Sequence, residues 1–175
     1  GFSMKDDQNP NREILLDKIV INMGVGEGGE RLLKAEQVLQ KLTGQKPVRT
    51  ISRRTNKEWG IWKDMPIGCK VTLRGNSGHE LLKKAIWVRN NKLQSYSFDD
   101  NGSFSFGIPD HTDLGLKYDP RIGVFGMDIC VTLRRNGYRV ARRRRGTRDM
   151  PYRHEVKREE TIDFMKERYD LEVLE

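Results

Sequence analysis

Three stretches of this chain alternate apolar and polar residues, and that pattern limits the fold more than any other feature. Cys69, Val71 and Leu73 interleave with Lys70, Thr72 and Arg74. Ile19, Ile21 and Met23 fall in one phase, with Lys18 and Asn22 in the other. Met127, Ile129, Val131 and Leu133 oppose Asp128, Thr132 and Arg134. Successive side chains of a strand point to opposite faces, so each stretch predicts a strand with one apolar and one polar side. A sheet built from them has a face that must be covered and a face left open.

The cover is also legible. Glu30 to Leu42 predicts a helix, with Leu32, Ala35, Leu39 and Leu42 on one face, Val38 widening it and Gly44 as a stop. Ser77-Gly-His-Glu80 matches a capping box and predicts a second helix running to about Asn91, with Leu82, Ala85 and Ile86 as its core stripe. Thr161 to Arg168 predicts a final helix with Ile162, Met165 and Tyr169 on one face. Strands are expected at Asp17 to Met23, Val48 to Ser52, Cys69 to Arg74 and Met127 to Arg134, with a hairpin around Ser103 to Ile108. The order gives an α+β class: a mainly antiparallel sheet, helices on one face, the other face polar.

Charge says what the open face could meet. The chain carries a formal net charge of +8 over 175 residues, and a basic globular protein usually meets a polyanion. No apolar run approaches the roughly 18 residues of a spanning helix. The segment from Gly1 to Asn11 is polar and has no signal-peptide core. The cations are concentrated. Arg134 to Arg158 holds eleven Lys or Arg against Asp149 and Glu155, and 159–175 holds seven acids against Lys166 and Arg168. A basic arm over 134–158 is thus followed by an acidic C-terminal helix or tail over 159–175, all within a single domain. Arg142, Arg143, Arg144 and Arg145 are consecutive, with Tyr138, Met150, Pro151 and Tyr152 nearby as stacking or docking surfaces. The 53–66 segment predicts a long basic loop that mixes Arg53, Arg54, Lys57 and Lys63 with Trp59 and Trp62. Indoles beside cations suit RNA stacking or partial burial. On the polar face, Asn and Thr can reach sugars and base edges while Lys and Arg neutralise phosphate, although a plain solvated face shows the same alternation.

Catalytic signals are weak. Gly24-Val-Gly26-Glu-Gly-Gly29 matches a dinucleotide fingerprint between a strand and a helix. The acidic residue expected about 20 positions later is missing, which leaves a tight turn that opens a helix, with backbone able to approach phosphate, as the main reading. A small nucleotide-dependent enzyme, using NAD or NADP on this turn, is the rival. His79 reads as an exposed first-turn residue, and His111 as part of a turn. His154 lies in the arm, and Asp110-x-x-Asp113 reads as a solvated turn rather than a metal site. Cys69 and Cys130, each in an apolar strand-like run, are expected to be reduced fillers in a cytosolic protein, bridgeable only if their strands are neighbours. The acidic tail keeps a protein-interaction role open. The expectation is a non-enzyme with no cofactor, no metal, no small-molecule substrate and no membrane.

Several long segments resemble one family. They are Lys18-Ile-Val-Ile-Asn-Met-Gly-Val-Gly-Glu27, Leu42-Thr-Gly-Gln-Lys-Pro47, Met65-Pro-Ile-Gly-Cys-Lys-Val-Thr-Leu-Arg-Gly75, Ser103 to Ile108, Tyr118-Asp119, and Arg121 through Ile129. In order, over about Asn9 to Arg134, they resemble ribosomal protein five of the large subunit. The arm, the final helix and the short Gly-rich turn are similar to its archaeal and eukaryotic branch. The resemblance implies a curved sheet backed by helices, bound to the ribosome in the cytoplasm. It implies contacts with 5S ribosomal RNA at Asn22, Gln45, Thr72 and Arg74, and docking on large-subunit ribosomal RNA beside ribosomal protein eighteen. It implies that the mobile 53–66 loop approaches P-site transfer RNA. With the residues read from alternation and charge, the candidate RNA contacts are Lys18, Asn22, Gln45, Lys46, Arg53, Arg54, Lys57, Lys70, Thr72, Arg74 and Arg142 to Arg145. The chain departs from the family at Trp59 and Trp62, where Phe, Lys or Arg is more usual, and at Lys157, where a helix-capping Ser is common.

Overall fold

The alternating stretches do form strands, and they lie side by side. A computed structural model describes residues 9–175; the polar stretch over 1–8 lies outside the described residues. The elements are β1 (Leu15–Gly24), α1 (Glu30–Thr43), β2 (Val48–Ile51), β3 (Pro66–Leu73), α2 (Gly75–Val88), β4 (Lys92–Gln94), β5 (Ser103–Ile108), β6 (Met127–Arg134), α3 (Arg139–Arg142), α4 (Arg158–Tyr169) and β7 (Glu172–Leu174). Five strands make one sheet in the order β2-β3-β1-β6-β5. Every neighbouring pair is antiparallel.

One phase of the alternation makes the core. Ile19, Ile21, Met23, Cys69, Val71, Leu73, Met127, Ile129, Val131 and Leu133 are buried, and α1 and α2 lay Leu32, Ala35, Leu39, Leu82, Ala85 and Ile86 onto them. Burying each of the large aliphatic side chains contributes about 1.5–3 kcal/mol. Met165, Tyr169 and Leu171, from α4 and just beyond it, join the same cluster. α1 ends where Gly44 adopts φ 71 and its N–H returns to the Gln40 carbonyl, a left-handed stop that glycine takes without a Cβ clash.

Several expectations need correction. α2 starts at Gly75, with Arg74 in extended backbone at its N-cap and no side-chain cap. Ser77 Oγ donates to the Arg74 carbonyl at 3.1 Å, so the Ser-x-x-Glu match is not a capping box. Gly75, at φ 66, lets the chain turn from strand to helix two residues early. Ser103 to Ile108 is not a hairpin but the edge strand β5, paired along its length with β6. The tight turn before it bridges Phe98 to Phe104. α4 begins at Arg158, and Lys157 at its N-cap contributes no side-chain cap. β4 and β7, both missed from the sequence, pair in parallel as a separate ribbon. Cys69 and Cys130 stand on strands separated by β1 and are both free; only Cys69 is a core filler, because Cys130 is exposed. Of the histidines, His111 does open a short 3-10 turn, while His79 differs from its reading. His111 is buried and its Nδ1 accepts from the Phe125 N–H at 3.2 Å. His79 is half-buried against the Tyr169 hydroxyl of α4.

Candidate nucleic-acid interface

The strand registers assemble the open face row by row. One row runs Val48, Lys70, Asn22, Asp128 and Gly107 across all five strands. The next runs Thr72, Val20, Cys130 and Ser105. The third sets Lys18 beside Thr132 and Ser103. Among the described residues α1 and α2 pack on the opposite face, and these side chains are all exposed or half-buried. Lys18, Asn22, Lys70 and Thr72 thus stand together, as alternation predicted. Arg74 follows directly from β3 on the same phase.

The end of this face holds a residue that the sequence reading missed. β1 carries a bulge between Leu16 and Lys18, where Leu16 pairs with Leu133 and Lys18 with Thr132. A bulge sets an extra residue against one partner and bends the strand. Asp17 is that extra residue. By strict alternation it shares the phase of Ile19 and Ile21 and belongs in the core. The bulge turns it instead toward the arginines at the end of the face. Its side chain is 4% exposed and meets three guanidinium groups: Arg74 Nη1 at 3.2 Å and Arg134 Nε at 3.3 Å on Oδ1, and Arg142 Nη1 at 2.9 Å on Oδ2. A charged residue in the apolar phase of a strand is the signal that could have revealed the bulge.

The basic loop has pairing of its own. The Ser52 N–H donates to the Met65 carbonyl and the Asp64 N–H to the Ser52 carbonyl, both at 2.8 Å. Asn56 and Ile61 form an antiparallel bridge beyond them. Ile61 is buried, while Trp59 and Trp62 are 73% and 56% exposed. The loop thus holds its indoles out in solvent next to Arg53, Arg54 and Lys57, all exposed. Gln45 and Lys46 are exposed in the turn between α1 and β2, and the Gln45 N–H is held by Thr43 Oγ1 at 3.3 Å.

The arm is anchored at its base and open at its tip. Tyr138 Oη accepts from the Val156 N–H at 2.9 Å, and the His154 ring is hydrogen-bonded to the Asn136 carbonyl at 2.7 Å. Tyr138 therefore docks the arm, whereas Tyr152 is 75% exposed. Every residue from 141 to 149 is exposed. Of the four consecutive arginines, Arg142 is tied to Asp17 and Arg143 to the Gly146 carbonyl. Arg144 and Arg145 make no ion pair among the described residues.

The Gly-rich turn is not a nucleotide site. A dinucleotide fold needs a parallel sheet, and β1 is antiparallel to both neighbours. The Val25 and Gly26 N–H groups are already used by the Ile67 carbonyl, at 2.9 and 2.8 Å. Asp110 Oδ1 accepts from the Thr112 N–H at 2.9 Å, which holds its carboxyl below the usual range. It is the N-cap of a short 3-10 turn, not a metal ligand. Among the described residues no group of three His, Cys, Asp or Glu side chains could hold a metal ion.

Fold and surface together define a class: a small, basic α+β domain that displays its cations on an open sheet face, a loop and an arm. The comparisons narrow it further. Residues 9–61 match the family model of ribosomal protein L5, and residues 66–164 match the model of that ribosomal family's C-terminus. The chain is 49% identical over 169 residues to large ribosomal subunit protein uL5 of Sulfurisphaera tokodaii, covering 95% of this chain and 96% of the relative. It is 48% identical over 177 residues to the uL5 of Sulfolobus acidocaldarius, covering 99% of each. Against the uL5 of Methanospirillum hungatei it is 45% identical over 166 residues, covering 94% of this chain and 99% of the relative. The chain belongs to the ribosomal protein L5 family, on its archaeal and eukaryotic side. It is a structural ribosomal protein and not an enzyme, and its place is on the cytoplasmic ribosome.

Proposed function

We propose that this protein binds 5S ribosomal RNA through its open sheet face and helps to anchor that RNA to large-subunit ribosomal RNA in the central protuberance. The observation that carries the reading is the row Lys70, Asn22 and Asp128 with Lys18 and Thr72 beside it, an uncovered polar surface in the middle of a sheet. Asn and Thr supply donors and acceptors for base edges and 2′-hydroxyls, and Lys18, Lys70 and Arg74 supply charge for phosphate. Gln45 and Lys46 extend the surface at the β2 edge. The arm, with Arg142 to Arg145, neutralises further phosphates, of 5S RNA beside the sheet face and of the large-subunit RNA it docks on, next to a neighbouring protein of the large-subunit protein eighteen family. The 53–66 loop, with Arg53, Arg54 and Lys57 beside two exposed indoles, is suited to approach P-site transfer RNA.

The test is binding of the purified protein to 5S ribosomal RNA at two salt concentrations, with excess transfer RNA as competitor. The expected result is binding that survives the competitor. Log K should fall by about 0.7–0.9 per neutralised phosphate for each log unit of salt. Asn22→Ala with Arg74→Ala should weaken binding at least about tenfold, since hydrogen bonds to charged groups contribute about 1.5–3 kcal/mol. Binding that vanishes under competitor, or a double variant that binds normally, would remove the sheet face as a specific reader.

A further inference from the structure

We propose that Asp17 is a positioning residue for RNA binding: a buried carboxylate that fixes Arg74, Arg134 and Arg142 as one phosphate-binding cluster and pins the basic arm to the sheet. The proposal rests on the RNA-binding reading above and deepens it. Asp17 touches no RNA under this proposal; it acts through the three arginines.

The geometry is that of a socket. The Asp17 side chain is 4% exposed, whereas Arg74, Arg134 and Arg142 are 59%, 35% and 52% exposed. Each guanidinium has five N–H donors in a fixed fork. Arg74 and Arg142 each donate through Nη1 to the Asp17 carboxylate and Arg134 pairs with it through Nε, which leaves most donors of these part-exposed guanidinium groups free for a further anion.

Charge balance argues against a purely structural ion pair. One arginine neutralises one carboxylate. Three leave a local surplus of two positive charges, drawn from the junction of β3 and α2, from β6 and from the arm. Holding like charges this close costs energy in the free protein. That cost is offset when an RNA phosphate joins them. The arrangement therefore suits a polyanion partner better than it suits the isolated fold.

The link also has reach. Arg142 lies 125 residues from Asp17 in sequence. It closes α3 and directly precedes Arg143, Arg144 and Arg145. Their neighbourhood, 141–149, is exposed throughout. The Arg142 contact thus sets where that run begins relative to the sheet face. A flexible arginine loses more entropy on meeting phosphate than one already held in place.

The decisive variant is Asp17→Asn, because charge and position predict opposite signs. The substitution keeps the shape and raises the net charge by one. If only overall charge mattered, RNA would bind more tightly. Positioning predicts binding to 5S ribosomal RNA about tenfold weaker, as expected when a charge-assisted contact is lost. It also predicts a salt slope shallower by about 0.7–0.9 or more. Arg142→Gln should weaken binding too, and the double variant should be little weaker than either alone. Equal or tighter binding by a folded Asp17→Asn protein, or fully additive losses, would overturn the proposal. Arg142→Gln, at a half-exposed side chain, decides the matter even if Asp17→Asn fails to fold. A slope reduced by more than one phosphate's worth supports positioning of the following arginines, and a smaller reduction refutes it. Wild-type protein that binds no RNA would instead remove the underlying function, a result separable from both.

Discussion

Arg135 Nε donates to the Arg12 carbonyl at 2.9 Å, across 123 residues of chain. The same guanidinium donates through Nη1 to the carbonyls of His154 and Glu155, at 3.3 and 3.1 Å, and pairs through Nη2 with Glu160. One buried side chain thus ties together the segment before β1, the returning end of the arm and the first turn of α4. Arg135→Met should leave those carbonyls and Glu160 without their donor. Breaking such a buried set costs about 3–5 kcal/mol. At this chain length the melting temperature should drop by about 6–20 °C. Thermal unfolding measures it, and a drop under about 2 °C would mean that water replaces the arginine at little cost.

Gly102 is held at φ +80, and a Cβ there would lie 2.9 Å from Val156 Cβ. Val156 is fully buried where the arm returns to the fold. Gly102→Ala combines left-handed strain with overpacking, each worth about 1–3 kcal/mol. Gly123 has nearly the same φ, +81, but open space around its Cβ position. Gly123→Ala should therefore cost only the strain. Parallel denaturant titrations should show the Gly102 variant as clearly less stable, and equal midpoints would mean that Val156 moves aside freely.

Sequence alone reached the parts of this molecule where side-chain phase is unbroken. β6 was legible from Met127 to Arg134 because its alternation has no interruption. α1 was legible because its apolar stripe runs to a glycine stop. Asp17 was not, because its position falls in the core phase and only its charge hints at the bulge that turns it away. The start of α2 was missed because Gly75 begins the turn before any conventional cap residue appears. β7 stayed hidden because its partner, β4, lies about 80 residues earlier and the pairing is parallel. The open face was therefore readable through Lys18, Asn22, Lys70 and Thr72, while the three-arginine cluster was not. Its members come from separate elements and meet only through Asp17.

His79 makes acid stability partly a property of the contact between α2 and α4. Burial first, then the nearby Arg168 and Lys83, lower its pKa from the ordinary 6.5. The folded state therefore binds fewer protons than the unfolded chain as pH falls below about 6.5, and stability rises with pH through that window. The His79 contribution is fully present above 6.5 and is lost as pH falls toward the folded-state value. His79→Gln should show a smaller loss of melting temperature than wild type between pH 7.5 and pH 5. Identical losses would assign the acid sensitivity to other groups.

The two cysteines report separately on the two faces of the sheet. Burial, with Glu36 adding a smaller effect, pushes the Cys69 thiol up to about 11. Cys130 is exposed on the open face, yet partial covering of its sulfur and the nearby Asp128 carboxylate also raise its pKa. The thiolate is the reactive form, so both react slowly at neutral pH. At pH 9 accessibility separates them: an alkylating reagent should label Cys130 in the native protein and reach Cys69 only on unfolding. Cys130 shares a row with Thr72 and Val20, in the middle of the proposed RNA surface. Saturating 5S ribosomal RNA should therefore protect Cys130 from the reagent, read by peptide mass spectrometry. The arm offers the contrast. If RNA engages only the arm and the 53–66 loop, Cys130 stays as reactive as in the free protein while binding is intact. Labelling that falls in step with bound RNA locates the contact on the sheet itself, independently of any substitution.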